Sequence, residues 1–178
     1  HVEGVLLTSR DHAQTLDTLI SRLPIDEAIL TLPVHRLDDT LTPVTLPAGM
    51  AVKQLGADQI IQVEERLSIQ PIAADNEHTA LLLVYGNTRI LIPGGVSPNL
   101  LVAQQRDNLS SLSILILNEE DITTIPADMW LNFGAQHVLW NSASIPPISD
   151  WMGLYESSLI EITSGGTSYA IEFSDHDY

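Results

Sequence analysis

Asp75-Asn76-Glu77-His78-Thr79-Ala80-Leu81-Leu82-Leu83-Val84-Tyr85-Gly86-Asn87-Thr88-Arg89-Ile90-Leu91-Ile92-Pro93-Gly94-Gly95 runs from a polar turn through two apolar segments to a Pro-Gly-Gly stop. Ala80 to Tyr85 and Arg89 to Ile92 are of strand length, and the turn formers Gly86-Asn87 lie between them, so the spacing predicts a β-hairpin. Upstream, Val52 to Leu55, Ile60 to Val63 and Leu67 to Ala73 read as further short strands, giving a largely antiparallel run of sheet.

Near the N-terminus, Val2 to Thr8 is an apolar, β-compatible run, and Leu16, Leu19, Ile20 and Leu23 fall on one helical stripe closed by Pro24. Ala28 to Leu32 reads as a buried strand ending before Pro33; strand, helix and strand imply a parallel pair with a crossover. Residues His35 to Gly49 hold no sustained period and are expected to be a surface loop. Downstream, a helix is predicted after Pro98 through Leu100, Leu101 and Gln104, a strand over Ser113 to Leu117, and the end of another helix over Met129 to Phe133. His137 to Trp140 is a further strand. Leu159 to Thr163 and Tyr169 to Phe173 are strands around the turn Ser164-Gly165-Gly166-Thr167. No internal repeat or linker divides residues 1–178, so a single layered α+β or α/β domain is expected.

With 44% hydrophobic and 17% charged residues in 178, the chain can bury a core. Its 23 acidic against seven basic side chains give a net charge of −16, which repels a polyanion, so direct binding of nucleic acid is not expected. The absence of cysteine removes disulfides, thiolate metal sites and cysteine nucleophiles. The longest apolar runs are far short of the roughly 20 residues of a membrane helix, and no basic segment precedes an apolar one at the N-terminus, so the chain as given is expected to be soluble and without a targeting address. No Ser-His-Asp grouping at a recognisable elbow and no phosphate-cradling glycine loop is present. The terminal Asp175-His176-Asp177 is expected to be a frayed tail.

The order of these elements resembles the metallo-β-lactamase-like domain of ComEC-type competence proteins, from Val2 nearly to Phe173. Four signatures carry the resemblance: Val5-Leu6-Leu7-Thr8 leading into Ser9-Arg10-Asp11-His12-Ala13-Gln14; the 75–95 stretch; Ser113-Ile114-Leu115-Ile116-Leu117-Asn118-Glu119-Glu120-Asp121; and Gln136 to Trp140 followed by Ile145-Pro146-Pro147-Ile148-Ser149-Asp150-Trp151-Met152. The family carries zinc ligands at all four places. In the first, Ser9 stands for a histidine, Asp11 keeps a ligand-type carboxylate, Ala13 replaces an aspartate and Gln14 a histidine, with His12 on a spacer position. Gly95 stands where the family has the aspartate that bridges two metals, and Glu119 and Glu120 stand where it has a His-His pair. In the fourth, a proline replaces the last ligand and the segment resembles a helix start.

The resemblance implies an α+β, metallo-β-lactamase-like αββα sandwich that is partial, lacking the family's first strands. A catalytic zinc site needs about three protein ligands plus a water, so the positions Ser9, Asp11, Ala13, Gln14, Gly95, Glu119 and Glu120 read as a degenerate metal site with no catalytic residue, no metal and no cofactor. Gly94-Gly95 is expected to be a tight strand-end turn. Glu119, Glu120 and Asp121 are expected to be a solvated acidic loop; the alternative is an oxygen-rich site, together with Asp11, for a hard cation.

The implied role is structural or scaffolding, within a DNA-uptake protein whose parent is membrane-embedded, on the extracytoplasmic face of the membrane. A protein partner or a second copy is expected to complete the sheet, with Val2 to Thr8 as the exposed edge. Two alternatives stand beside it: a free-standing assembly or binding module that reuses the fold, and a metal-dependent hydrolase or nuclease whose ligands lie in another register.

Overall fold

A computed structural model describes residues 2–7, 25–30, 51–54, 59–63, 65–75, 78–105, 109–123, 125–142, 144–153 and 159–174. Its centre is the hairpin of the 75–95 stretch. The strands Thr79–Tyr85 and Thr88–Ile92 pair antiparallel from Leu81↔Ile92 to Tyr85↔Thr88. Gly86 turns the chain at φ 58°, a conformation that glycine adopts without the Cβ penalty.

In chain order the strands are β1 (Val2–Leu7), β2 (Ile25–Leu30), β3 (Ala51–Gln54), β4 (Ile61–Gln62), β5 (Leu67–Ala74), β6 (Thr79–Tyr85), β7 (Thr88–Ile92), β8 (Ile114–Leu117), β9 (His137–Trp140), β10 (Met152–Gly153), β11 (Leu159–Ser164) and β12 (Tyr169–Ser174). The helices are α1 (Pro98–Gln105), α2 (Glu119–Thr123) and a 3-10 helix over Ala127–Phe133. Seven strands form one sheet in the order β10-β9-β8-β7-β6-β5-β4. It is antiparallel from β4 to β7 and parallel from β7 to β10. The antiparallel pairing of β4 to β7 is as the sequence predicts, but the strand expected at Val52 to Leu55 is not part of this run: it is β3, paired parallel with β2 in a separate sheet. Pro71 in β5 lacks an N–H to donate, and the register shifts between Pro71 and Ala73, a bulge where the ladder absorbs the missing bond.

α1 makes the crossover between the parallel strands β7 and β8. Its start follows from Ser97, whose hydroxyl accepts the Leu100 N–H at 3.3 Å, and from Pro98 at the first helical position. Leu101 then points into the core beside Leu82, Leu91, Leu115, Leu117, Trp130 and Trp140, all at most 1% exposed. The alternate residues of the same strands point the other way, yet Ile114, Leu139 and Leu81 are 0 to 3% exposed, so the sheet is covered on both faces. On that second face, Ile162 of the β11–β12 hairpin shares an apolar hollow with Leu67, Leu83 and Ile90.

A separate parallel sheet has the order β1-β2-β3. β2 begins at Ile25, three residues before the expected start at Ala28: ladder bonds come from the backbone, so Asp26 and Glu27 join a strand that the apolar pattern excludes. The expected stripe through Leu16 to Leu23, the loop from His35 to Gly49 and the tail at Asp175 to Asp177 lie outside the described residues.

Two further expectations are corrected. The Ile145–Met152 segment does not start a helix; it turns at Ile148–Trp151 and adds β10 beside β9, with Met152 opposite Leu139. Glu119 to Asp121 is no solvated loop but the first turn of α2, because Asn118 and Asp121 cap each other. Asn118 Oδ1 accepts the Asp121 N–H at 3.2 Å, and Asp121 Oδ2 accepts the Asn118 N–H at 2.8 Å.

Candidate functional site

The C-terminal ends of parallel strands are where open α/β sheets place their sites, and here the loops after β7, β8 and β9 meet the turn between β5 and β6. After β7, the Val96 N–H bonds the Pro93 carbonyl at 3.1 Å, and Gly94 and Gly95 take φ 58° and 89°. The expected strand-end turn is present. Its second glycine has no room for a side chain: a Cβ there would lie 2.5 Å from His78 Cδ2 and 2.9 Å from Cγ.

His78 is held over Gly95 from both sides. Its backbone N–H bonds Asp75 Oδ1 at 2.8 Å, its Nδ1 lies 3.2 Å from the same oxygen, and its Nε2 lies 2.8 Å from Glu120 Oε1. Ionised carboxylates only accept, so the ring satisfies both contacts when it carries both N–H protons. The imidazole thus bridges the β5–β6 turn to α2 across 42 positions of sequence.

Asp121 lies behind this clasp, 3% exposed. Its Oδ1 accepts the Gly95 N–H at 2.9 Å and its Oδ2 the Asn118 N–H at 2.8 Å, which ties the glycine turn to the start of α2. Burial pushes its carboxyl up to about 6, against the two backbone N–H bonds and His78, which favour the charged form; Glu120 pushes the same way as burial. The buried Trp130 indole donates to the Asp121 carbonyl at 3.1 Å and fixes the other end of this turn.

Glu119 faces the loop after β9. Ser142 donates to Glu119 Oε1 at 2.7 Å, and the Ser142 and Ser144 hydroxyls hold this exposed carboxyl below the usual range. The Ser144 carbonyl accepts the Trp140 indole N–H at 2.9 Å, so the loop is anchored to the core.

Gly95, Glu119 and Glu120 are therefore gathered at one sheet end, while Ser9, Asp11, Ala13 and Gln14 lie outside the described residues. The described residues at this sheet end do not by themselves fit a two-metal centre. Gly95 offers no donor and the space beside it holds the His78 ring; Glu120 is engaged by His78 and Glu119 by Ser142. No group of three or more His, Asp or Glu among the described residues is placed to hold a metal ion.

The motif spacing carries no signal for Asp75 or His78 and marks Asp121 only as one of a run of acids. The capping pair Asn118 and Asp121 was visible as a spacing of three. The bridge from His78 to Glu120 had no local signal.

The sequence matches no protein-family model and no curated protein. Among solved structures, the chain is similar to the metallo-β-lactamase fold protein YhfI from Bacillus subtilis, at 11% identity and a TM-score of 0.49 over 78% of this chain and 63% of that one. It is also similar to a Thermotoga maritima protein proposed to be a Zn-dependent hydrolase of the metallo-β-lactamase superfamily, at 9% identity and a TM-score of 0.45 over 74% of this chain and 66% of that one. The chain spans a little under two thirds of the length of either structure, and the likeness is one of fold, with nothing in it about activity.

Proposed function

We propose that residues 1–178 form a single, non-catalytic metallo-β-lactamase-like domain with a structural or scaffolding role, in a ComEC-type DNA-uptake protein at the extracytoplasmic face of the membrane. One observation carries the non-catalytic part: the position of the family's metal-bridging carboxylate is a glycine covered by His78, which is itself clasped by Asp75 and Glu120. A site whose own side chains pair with one another leaves no open position for a metal-bound water. The ComEC assignment rests on the order of the four sequence signatures alone.

The test is turnover. The purified chain, supplied with zinc or manganese, is expected to hydrolyse neither a phosphodiester such as bis-p-nitrophenyl phosphate nor single-stranded DNA above the metal-only rate. Metal-dependent turnover that disappears in Asp11→Ala would restore the hydrolase reading. For the uptake role, the parent reading frame is expected to encode a polytopic membrane region.

A second reading, an assembly module, is favoured by β1, which is bonded on one side only among the described strands. An edge of free donors and acceptors is suited to pairing with a second copy or a partner strand. Concentration-dependent association in analytical ultracentrifugation, with slow exchange of the Val2 to Leu7 amides, is its signature; a monomer with fast-exchanging amides excludes it.

A further inference from the structure

The end of the sheet opposite the clasp carries a cleft of about 420 Å³ between the starts of β7, β8 and β9 and the β11–β12 turn. Two seams fix its walls. In the first, the Asn87 N–H bonds the Gly166 carbonyl at 2.6 Å and the Thr88 and Ser164 hydroxyls lie 2.8 Å apart. A Cβ on Gly86 would overlap the Gly166 backbone, so glycine permits this close approach. In the second, the Tyr169 hydroxyl reaches Gln136 Oε1 at 2.9 Å and the Ser113 carbonyl at 3.2 Å, while its ring meets the His137 ring edge-on at 5.7 Å. The cleft is preformed, as small-molecule sites are.

Its lining is polar without carrying a carboxylate or an ammonium, in a chain of net charge −16. The exposed residues Asn87, Thr167 and Ser168 line this space with amide and hydroxyl side chains, and His137 adds its imidazole nitrogens. An anion would meet the repulsive field of the whole chain with no cationic group fixed in the lining to offset it, and a cation would find no carboxylate. Groups that both donate and accept, beside the Tyr169 and His137 rings, suit a neutral ligand with many hydroxyls. A volume within the range of about 300–1,000 Å³ common to ligand clefts fits one or two sugar rings.

We propose that the cleft between the β6–β7 turn and the β11–β12 turn binds a neutral polyhydroxylated ligand, a mono- or disaccharide. The proposal is independent of the state of the clasped site at the other end of the sheet.

The test is a titration of the ¹⁵N-labelled chain with glucose, N-acetylglucosamine and sucrose, with inorganic phosphate as the anionic comparison, followed by amide and side-chain amide shifts. The expected result is saturable shifts at Asn87, Gln136 and Gly166 to Ser168 with at least one sugar, at a dissociation constant of about 1–10 mM, an affinity suited to a few hydrogen bonds. The triple variant N87A/T167A/S168A removes exposed groups that make no side-chain hydrogen bond among the described residues, and its shifts elsewhere report that it folds; it is expected to weaken binding by at least about tenfold. No saturable shift with any sugar, shifts away from the cleft, equal binding by the variant, or shifts with phosphate but no sugar would each overturn the proposal.

Discussion

Gly95→Asp introduces the residue type that the resembled family uses to bridge its metals, and here it is expected to damage the fold without creating a site. Two effects add. Holding a residue with a side chain at φ 89° costs on the order of 1–3 kcal/mol. The new Cβ would lie 2.5 Å from His78 Cδ2, so the ring must leave, and with it go its contacts to Asp75 and Glu120. Those contacts are part-exposed and are worth roughly 0.5–1.5 kcal/mol each. The sum is about 2–6 kcal/mol, which at about 2–4 °C per kcal/mol lowers Tm by roughly 4–24 °C in a chain of this size.

Urea unfolding followed by tryptophan fluorescence reads this directly, since Trp130, Trp140 and Trp151 are all in the core. Gly95→Ala carries the same Cβ and the same φ, and it is expected to lose most of the same stability. In the double variant G95A/H78A the contact is absent, so the two losses are expected to be less than additive by about 1 kcal/mol. A Gly95→Ala protein within about 0.5 kcal/mol of the parent would refute the reasoning, because neither the backbone nor the His78 ring could then be placed as described.

Asp121→Asn keeps the shape but removes the ionisable group. The Asp121 carboxyl titrates near 6 in the fold, above its ordinary value of 3.8, so its folded form holds the proton more tightly. The resulting stability is present below the ordinary value and is lost as pH rises through about 6. The stability of the parent relative to Asp121→Asn is therefore expected to fall between about pH 4 and pH 6, by up to roughly 3 kcal/mol; a difference that rises over this window would be contrary. Leu115→Ala, at 0% exposure in the core cluster, is expected to cost about 2–5 kcal/mol in the same urea assay. Ser142→Ala removes the hydroxyl that holds the exposed Glu119 carboxyl low, so the Glu119 side-chain carbon shift is expected to titrate at a higher pH than in the parent; an unchanged titration would show that Ser142 does not set it.

The parts of the fold that could be read from the sequence are those whose cause is local. The β6–β7 hairpin follows from two apolar runs around Gly86-Asn87, and the turn at Gly94-Gly95 from residues that accept positive φ. α1 follows from the apolar residues after Pro98. Reading failed where the cause is distant or backbone-borne. β10 is two residues long and exists because β9 offers it a ladder. Asp26 and Glu27 join β2 through main-chain pairing. Glu119, Glu120 and Asp121 look alike as a run of acids, yet each has a different partner: Ser142, His78, and the Gly95 and Asn118 amides. Those partners lie on other loops, so the clasp becomes visible only once the strand ends converge.

The central claim, that this strand-end site has exchanged metal ligation for internal pairing, is tested most directly by elemental analysis of the chain equilibrated with zinc and with manganese and then freed of unbound metal. The account predicts far less than one metal per chain, unchanged in Asp11→Ala and His78→Ala. One or two bound metals per chain, lost in either variant, would contradict it.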